Sequence, residues 1–228
     1  VAAGEIFGIA GVEGNGQREL VEALTGLRRP AGGRVWLRGR DVTGFPAALL
    51  YRAGLAHVPE DRQRQGLVGG FTLVENSILG RQRERAFHTR LGALHGGRIR
   101  QHAVRLIREF GVVTLSPDLP ARSLSGGNQQ RLVLGRELGK DPALVVAAQP
   151  TRGLDVAAAA AIRELLAGLK RQGRGVLLVS ADLEELVELA DRIAVMYDGR
   201  FLGVLEGPAF DRARLGLLMG GVTRAAGA

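Results

Sequence analysis

Short apolar runs, separated by glycine-containing and polar stretches, recur along the chain and predict strands. They are the segments Glu5–Ala10, Arg34–Leu37, Gly54–Val58, Ala143–Ala147, Gly175–Val179, Arg192–Met196 and Phe201–Leu205. Amphipathic patterns with a helical period lie between them, at Glu19–Leu27, Val156–Arg171 and Asp182–Ala190. This alternation predicts an α/β fold with a mostly parallel sheet that helices cover on both faces.

The strand pattern stops between Gln63 and Gly139, where the sequence favours helices. Helical periodicity appears at Thr72–Gly80, Arg98–Phe110 and Ser125–Leu138. The polar stretch 81–97 is expected to be an exposed loop or a short irregular helix. We therefore predict a single domain over residues 1–228, with an α/β core at 1–62 and 139–228 and an inserted helical subdomain at 63–138.

Composition narrows the classes of protein that fit this pattern. With 228 residues, 46% of them apolar, the chain can bury one substantial core. No apolar run approaches the roughly 18 residues of a membrane span, and no signal peptide precedes the first strand. The absence of cysteine excludes disulfides and thiolate metal sites and fits a cytosolic location.

The net charge of +8 comes almost wholly from arginine, since lysine occurs only at Lys140 and Lys170. A basic balance raises nucleic acid as a partner. The arginines are spread along the whole chain, however, and aromatic residues make up only 4% of it, so no stacking pattern accompanies the charge. A solvated or phosphate-facing surface is therefore favoured over nucleic-acid binding, and contact with anionic lipid remains an alternative for some arginines.

A glycine-rich loop follows the first predicted strand and leads into the first predicted helix. Its sequence is Gly11-Val12-Glu13-Gly14-Asn15-Gly16-Gln17-Arg18. Strand, glycine loop and helix are the context of a P-loop, in which backbone N–H groups and the positive helix end hold a phosphate. Gln17 stands where such a loop has its phosphate-binding Lys, however, and Arg18 stands where it has its Mg²⁺-binding Ser or Thr.

A second glycine turn opens another predicted helix, and a conspicuous turn follows about twenty residues later. The two segments are Leu124-Ser125-Gly126-Gly127-Asn128-Gln129-Gln130 and Pro150-Thr151-Arg152-Gly153-Leu154-Asp155. Ser-Gly-Gly offers an anion free backbone N–H groups, a helix end and a hydroxyl. The first segment resembles the signature motif of ATP-binding cassette (ABC) proteins, and the second resembles the segment after their Walker B strand. The resemblance implies a P-loop NTPase fold of the ABC type, with a mostly parallel sheet, an inserted helical subdomain and a partial antiparallel β region.

Set against the ABC pattern, the positions that handle nucleotide have lost their reactive side chains. Ala148 and Gln149 stand at the metal-binding Asp and the catalytic Glu, Ala181 at the switch His, and Glu60 at the Q-loop Gln. A glutamine cannot accept a proton as a general base. The resemblance therefore implies no competent catalytic residue and no metal ligand. It implies nucleotide contacts from Gly11, Gly14, Asn15, Gly16, Gln17, Arg18 and Glu60. It also implies a signature motif of Leu124, Ser125, Gly126, Gly127, Asn128 and Gln129, with Asp155 in the D-loop.

The same losses characterise the second ABC domain in tandem ATP-binding subunits of simple-sugar and nucleoside importers, which this chain resembles through VPEDR, LSGGNQQ and PTRGLD. The resemblance implies that the signature motif completes the ATP site of a second ABC domain, the N-terminal half of the same polypeptide. The chain's own site would bind ATP or ADP weakly or without Mg²⁺, and Mg²⁺ would bind only at the partner site. This domain alone would not hydrolyse ATP.

Further partners follow from the same resemblance. They are transmembrane permease subunits and, indirectly, a substrate-binding lipoprotein, with the domain peripheral on the cytoplasmic face of the inner membrane and no nucleic acid bound. An ABC domain usually has strands and an adenine-stacking aromatic before its P-loop strand, whereas only Val1, Ala2 and Ala3 precede Gly4 here. We therefore expect either an excised domain or trimmed numbering, and no adenine stacking from Val1–Ala3. Two alternatives stay open: a soluble ABC protein of translation or repair, and a scaffold that no longer binds nucleotide.

Overall fold

The structure is a computed structural model, and it describes residues 1–206 and 210–222. Its strands are β1 (Ile6–Ala10), β2 (Trp36–Leu37), β3 (Arg40–Asp41), β4 (Leu55–Val58), β5 (Leu144–Ala148), β6 (Gly175–Ser180), β7 (Arg192–Tyr197) and β8 (Arg200–Glu206). Its α-helices are α1 (Gln17–Leu24), α2 (Ala47–Ala53), α3 (Leu73–Asn76), α4 (Gly96–Glu109), α5 (Gly126–Leu138), α6 (Val156–Arg171), α7 (Leu183–Leu189) and α8 (Arg212–Met219).

Six strands form one sheet in the order β4-β5-β6-β1-β7-β8. β1 is parallel to both β6 and β7, β5 is parallel to β6, and β8 is antiparallel to β7. β2 and β3 form a separate antiparallel pair. The predicted α/β class, with a mostly parallel sheet and a partial antiparallel region, is therefore confirmed.

The residues pack as two compact units. The core unit comprises Val1–His57, Pro142–Pro150 and the described residues from Ala160 onward, and the helical unit comprises Val58–Asp141 and Thr151–Ala159. The predicted boundaries at 62/63 and 138/139 stay a prediction.

Apolar side chains from the sheet, α1 and the β2–β3 region fill the interior of the core unit. The cluster consists of Ile9, Val21, Leu37, Val42, Leu50, Leu55, Val146, Ala148, Leu177, Val179 and Met196. The strands β5 and β6 are buried along almost their whole length, as expected for parallel strands with both faces covered. This packing fixes the carboxyl ends of β1, β5 and β6, from which the loops of the first candidate site emerge.

The helical unit contains a smaller cluster of Ile78, Phe87 and Ile99. The predicted helix Thr72–Gly80 is shorter than expected, because only Leu73–Asn76 is α-helical. Beyond Asn76 the backbone bonds tighten to three-residue spacing, as in Ile78 N to Glu75 O at 3.3 Å. Buried Asn76 bonds through its side chain to the backbone of Val68, Phe71 and Thr72, so contacts from the preceding loop determine this end.

Candidate nucleotide and signature sites

The glycine loop of the core unit lies between β1 and α1, and the turn of the β7–β8 hairpin contacts it. Gly16 is the N-cap of α1 and has φ 102°, a left-handed conformation that favours glycine. Asn15 accepts hydrogen bonds from two backbone N–H groups of the β7–β8 turn, from Asp198 to its side-chain oxygen at 3.0 Å and from Gly199 to its carbonyl at 3.0 Å. A Cβ at Gly16 would lie 3.1 Å from Gly199 Cα. The loop shape therefore depends on a turn far along the chain.

The side chain of Gln17 folds back along the loop that precedes it. Its Nε2 donates to Val12 O at 3.2 Å, and the residue is only 9% exposed. A Cβ at Gly11 would lie 1.9 Å from this Nε2, so the amide fills the space beside Gly11. Gln17 therefore bonds to the loop that it terminates, and it brings no charge to it.

Arg18 binds within its own helix. Its side chain is 72% exposed, and its Nε donates to Glu22 Oε1 at 2.9 Å. Arg28 binds the other carboxylate oxygen of Glu22 at 2.8 Å. Hydrogen bonds from Arg18 and then Arg28 lower the pKa of Glu22 below its ordinary value. The cation that occupies the Mg²⁺-ligand position of the motif is thus neutralised by a carboxylate on the next helical turn.

The ends of β5 and β6 carry the residues at the metal, base and switch positions. Ala148 is buried in the apolar cluster of the core unit. Gln149 has φ 47°, donates its backbone N–H to Val179 O at 2.7 Å, and accepts a hydrogen bond on Oε1 from Ala181 N at 3.2 Å. The glutamine amide therefore connects the end of one strand to the end of the next, and the three positions offer neither a carboxylate nor an imidazole.

In the helical unit, Ser125 is the N-cap of α5, and it is exposed. Its Oγ accepts hydrogen bonds from the Asn128 backbone at 3.4 Å and from Asn128 Nδ2 at 3.0 Å. Asn128 Oδ1 accepts from Val113 N at 2.8 Å. Buried Gln129 donates from Nε2 to Ala121 O at 3.3 Å and to Leu124 O at 3.2 Å. The polar residues of the motif thus fix the start of α5 on its neighbours, as an N-cap residue is expected to do.

Gly126 and Gly127 permit close approach of neighbouring groups to the first turn of α5. A Cβ at Gly126 would lie 2.6 Å from Arg62 Nη2, and one at Gly127 would lie 2.8 Å from Ala158 Cβ. Asp155 caps α6 just before that contact, because its Oδ1 accepts from Ala158 N at 2.8 Å. The D-loop residue therefore positions the helix start against which Gly127 packs.

Glu60 and two arginines that the sequence analysis did not assign to the site lie together in the helical unit. Arg152 forms an ion pair with the Glu60 carboxylate. Arg62 Nη1 donates to the backbone carbonyl of Arg152 at 3.0 Å. Opposite charges in VPEDR and PTRGLD were the available signal, but the partners are 92 positions apart in the sequence, so no local pattern indicates the pairing.

The far end of α5 carries a buried group of charges. Glu137 binds Arg136 Nε at 3.0 Å and Lys140 Nζ at 2.6 Å, and all three side chains are at most 10% exposed. Burial raises the pKa of Glu137, but the charges of Lys140 and Arg136 and their hydrogen bonds outweigh it, so the pKa lies below its ordinary value. Burial lowers the pKa of Lys140. The signature helix is thus fixed by polar contacts at both ends.

Across 1–206 and 210–222, no helix is long and apolar enough to cross a bilayer. Within the same ranges no cluster of three or more His, Asp or Glu residues is arranged to hold a metal ion.

The fold and the two glycine loops define an ATP-binding cassette. A family model described as "ABC transporter" matches residues 1–152, and the chain belongs to this family. A nucleotide-free ATP-binding cassette from an ABC transporter superposes with a TM-score of 0.81 at 22% identity, covering 99% of this chain and 90% of that one. A dimeric cassette bound to ADP and Pi superposes with a TM-score of 0.75 at 25% identity, covering 92% and 88%.

Among curated relatives, a guanosine import ATP-binding protein of Bacillus subtilis is 43% identical over 98% of the chain. A glucose import ATP-binding protein of Haloferax volcanii is 42% identical over 100%, and a nucleoside import ATP-binding protein of Lactococcus lactis is 40% identical over 97%. The chain spans less than half of these relatives, covering 44%, 42% and 44% of their lengths.

Proposed function

We propose that this chain is an ATP-binding domain of an ABC importer for nucleosides or simple sugars. Its own nucleotide loop is degenerate, and its signature motif completes the ATP site of a second ABC domain, the N-terminal half of the same polypeptide. Three relatives are named as import proteins for guanosine, nucleosides and glucose, and these names support nucleosides or simple sugars as the solute class. The domain works with permease subunits, and indirectly with a substrate-binding lipoprotein, on the cytoplasmic face of the inner membrane.

The observation that carries this proposal is the contrast between the two glycine loops. In the core unit Gln17 bonds to Val12, Arg18 is paired with Glu22, and Gln149 bonds to Ala181. In the helical unit Ser125 is exposed and caps α5. Phosphoryl transfer needs positioned charge around the γ-phosphate, which the first loop lacks, whereas binding an anion at a helix start needs only N–H groups and a hydroxyl.

The residues of the core unit do not fit a Mg²⁺ ion. Mg²⁺ requires oxygen ligands, whereas the two ligand positions of the motif hold a guanidinium paired with Glu22 and a buried methyl group. We therefore expect nucleotide affinity at this loop to change little when Mg²⁺ is chelated. Backbone N–H groups of residues 14–18 would then provide the binding.

The roles of the two domains follow from this chemistry. The partner domain supplies the phosphate-binding Lys, the metal and the general base. This chain supplies Ser125 Oγ and the backbone N–H groups at the start of α5, where the helix dipole favours negative charge. Alone, the chain should show no ATP turnover above a no-enzyme blank.

A pair of cap-preserving variants tests the proposal in the two-domain protein assembled with its permease. Asp and Asn both cap helices well, so Ser125→Asp and Ser125→Asn should keep α5 intact. Asp adds a like charge beside the bound phosphate, and we expect ATP turnover to fall by at least about 10³-fold. Ser125→Asn should stay within about tenfold of wild type.

Undiminished turnover in Ser125→Asp would overturn the composite site. Copurification with permease subunits separates the importer from a soluble ABC protein. A nucleotide titration of this loop separates a degenerate binding site from a scaffold that binds no nucleotide.

A further inference from the structure

Three segments of the helical unit meet at two arginines. Glu60 pairs with the Arg152 guanidinium, and Arg62 Nη1 donates to the Arg152 carbonyl at 3.0 Å. Arg62 also covers the first residue of the signature helix, since a Cβ at Gly126 would lie 2.6 Å from its Nη2. We name Glu60, Arg62 and Arg152 the arginine clasp. It connects the Q-loop segment, the D-loop segment and the start of α5.

The backbone around Arg62 is fixed by its neighbour. Asp61 Oδ1 accepts hydrogen bonds from Gln63 N and Arg64 N, both at 3.0 Å, and so caps the single π-helical turn Arg62–Gly66. Arg62 Nε is buried and has no hydrogen-bond partner within 1–206 and 210–222. The guanidinium is therefore placed by the hydrogen bond of Nη1 to the Arg152 carbonyl and by the packing of Nη2 on Gly126.

Charge and exposure indicate what the clasp does. Side chains of Arg152 and Glu60 are 53% and 32% exposed, and an ion pair so open to water contributes little to stability. Its effect is local: the Glu60 carboxylate holds the Arg152 side chain, and the carbonyl of the same residue accepts a hydrogen bond from Arg62 Nη1 at 3.0 Å. Loss of the carboxylate would therefore loosen the loop that holds Arg62 against Gly126.

The first turn of α5 has neighbours at both of its glycines. Arg62 lies against Gly126, and Ala158 lies against Gly127. Arg62 and Ala158 are both linked to the D-loop segment, Arg62 through the Arg152 carbonyl and Ala158 through the Asp155 cap. A shift of the Q-loop segment, which carries Arg62, or of the D-loop segment would therefore move the N–H groups of the signature turn.

We propose that Arg62 is a positioning residue for the signature motif and that Glu60 and Arg152 hold Arg62 in place. This inference rests on the proposed function, because the geometry it protects is that of the ATP bound in trans. It assigns Glu60 a role toward Arg152, in place of the contact with nucleotide expected from the motif.

The main test compares Arg62→Gln with Arg64→Gln in the two-domain protein. Arg64 lies in the same turn, is 88% exposed, and pairs only loosely with Asp61 at 3.7 Å. Misplacement by about 1 Å costs roughly 10²-fold in rate. Arg62→Gln should therefore lower kcat by about that factor with KM for ATP little changed, and Arg64→Gln should match wild type.

A double mutant separates the clasp from a direct contact between Glu60 and nucleotide. Glu60→Gln breaks the ion pair with Arg152 and should lower kcat about tenfold. Arg152→Gln breaks the same pair, so the double mutant should lose no more than either single mutant, as expected for coupled residues. If Glu60 contacts nucleotide or metal directly, the two losses will add or Arg152→Gln alone will leave kcat unchanged, and the clasp is wrong.

Hydrogen exchange of the full chain provides a readout independent of ATP turnover. Amides of Gly126, Gly127 and Asn128 should exchange faster in Arg62→Gln than in Arg64→Gln. Equal exchange in the two variants overturns the inference whatever the ATPase result. Faster exchange together with a fully active Ser125→Asp would instead retain Arg62 as the residue that orders this turn and reject the proposed function.

Discussion

The two glycine loops of this chain both precede a helix, and they differ in what their side chains do. Each leads into a helix, α1 or α5. At the first, Gly16 is the N-cap and has no side chain to accept from the helix, whereas at the second Ser125 accepts from Asn128. At the first, Gln17 and Arg18 bond to neighbouring groups of the same loop or helix. A glycine pattern therefore reports the path of the backbone, and the residues beside the glycines report the chemistry.

The difference also separates binding from catalysis. The uncapped start of α1 still has backbone N–H groups that its helix does not use, so an anion can dock there without a reactive side chain. The start of α5 has its donors, its hydroxyl and the fixed contacts of Asn128 and Gln129.

The largest effect is expected at Gly127. Gly127→Asp places a carboxylate where the phosphate of the partner site would bind, and its Cβ would lie 2.8 Å from Ala158 Cβ. We expect ATP turnover by the two-domain protein to fall more than about 10³-fold. Steady-state ATPase of the assembled transporter measures it.

Gly127→Ala is the control for the steric part of this effect, because it has the same Cβ contact and no charge. ATP turnover should fall only about tenfold in this variant, because a small shift of α6 relieves the overlap with Ala158. Equal losses in the two variants would assign the effect to packing and would contradict an anion at this turn.

An intermediate effect on stability is expected at the buried charges that end α5. Glu137→Gln removes the buried carboxylate that binds Lys140 and Arg136, and removing one partner of a buried pair costs about 3–5 kcal/mol. Denaturant unfolding at neutral pH would measure it. Because the pKa of Glu137 is lower in the folded state, its contribution is full above the ordinary Glu pKa of about 4.3. It is lost as the pH falls through the lower folded value.

The matched control is Glu164→Gln. Glu164 pairs with Arg171 in the open, with 70% of its side chain exposed, so the free energy of unfolding should change by less than about 0.5 kcal/mol. Wild type should lose its advantage over Glu137→Gln on acidification. An advantage that persists at acid pH would show that the carboxylate charge is not its source.

The smallest effect is expected at Gln17. Gln17→Lys restores the phosphate-binding cation of the motif, but Ala148, Gln149 and Ala181 still provide neither metal ligand nor base. ATP turnover by the two-domain protein should stay within about twofold of wild type. Gln17→Met, of similar length and without charge, controls for the lost bond to Val12. A clear rise in turnover with Lys alone would show that this loop is one substitution away from competence.

Much of the fold was predictable because strong local patterns agree with the tertiary structure. Helix α6 has the predicted bounds Val156–Arg171. Helix α2 was missed although Pro46 precedes it and Gly54 ends it in a left-handed conformation, because seven residues give too little periodicity. The helix beginning at Leu73 ends early since Asn76 bonds to a preceding loop, which no local pattern records.

For the site, the sequence predicted which residue types occupy the motif positions, but it did not predict which groups they bind. The motif spacing identified Gln17, Gln149 and Glu60 as replacements. Their bonds to Val12, Ala181 and Arg152 depend on how the loops fold back and, for Gln149, on two strand ends that meet. No local pattern marks Arg62, because its contact with Gly126 joins residues far apart in the chain.

The order in which a ribosome makes these parts bears on the contact between Asn15 and the β7–β8 turn. Asp198 follows Asn15 by 183 residues, which at 5–20 residues per second takes about 10–40 s to synthesise. β1 likewise waits for β6 and β7, the neighbours that enclose it. The glycine loop is thus synthesised long before the turn that supports it and acquires its shape only after that turn is made. A nascent chain stalled before Gly175 would display an unsupported loop and a central strand without either of its neighbours, a natural target for a chaperone.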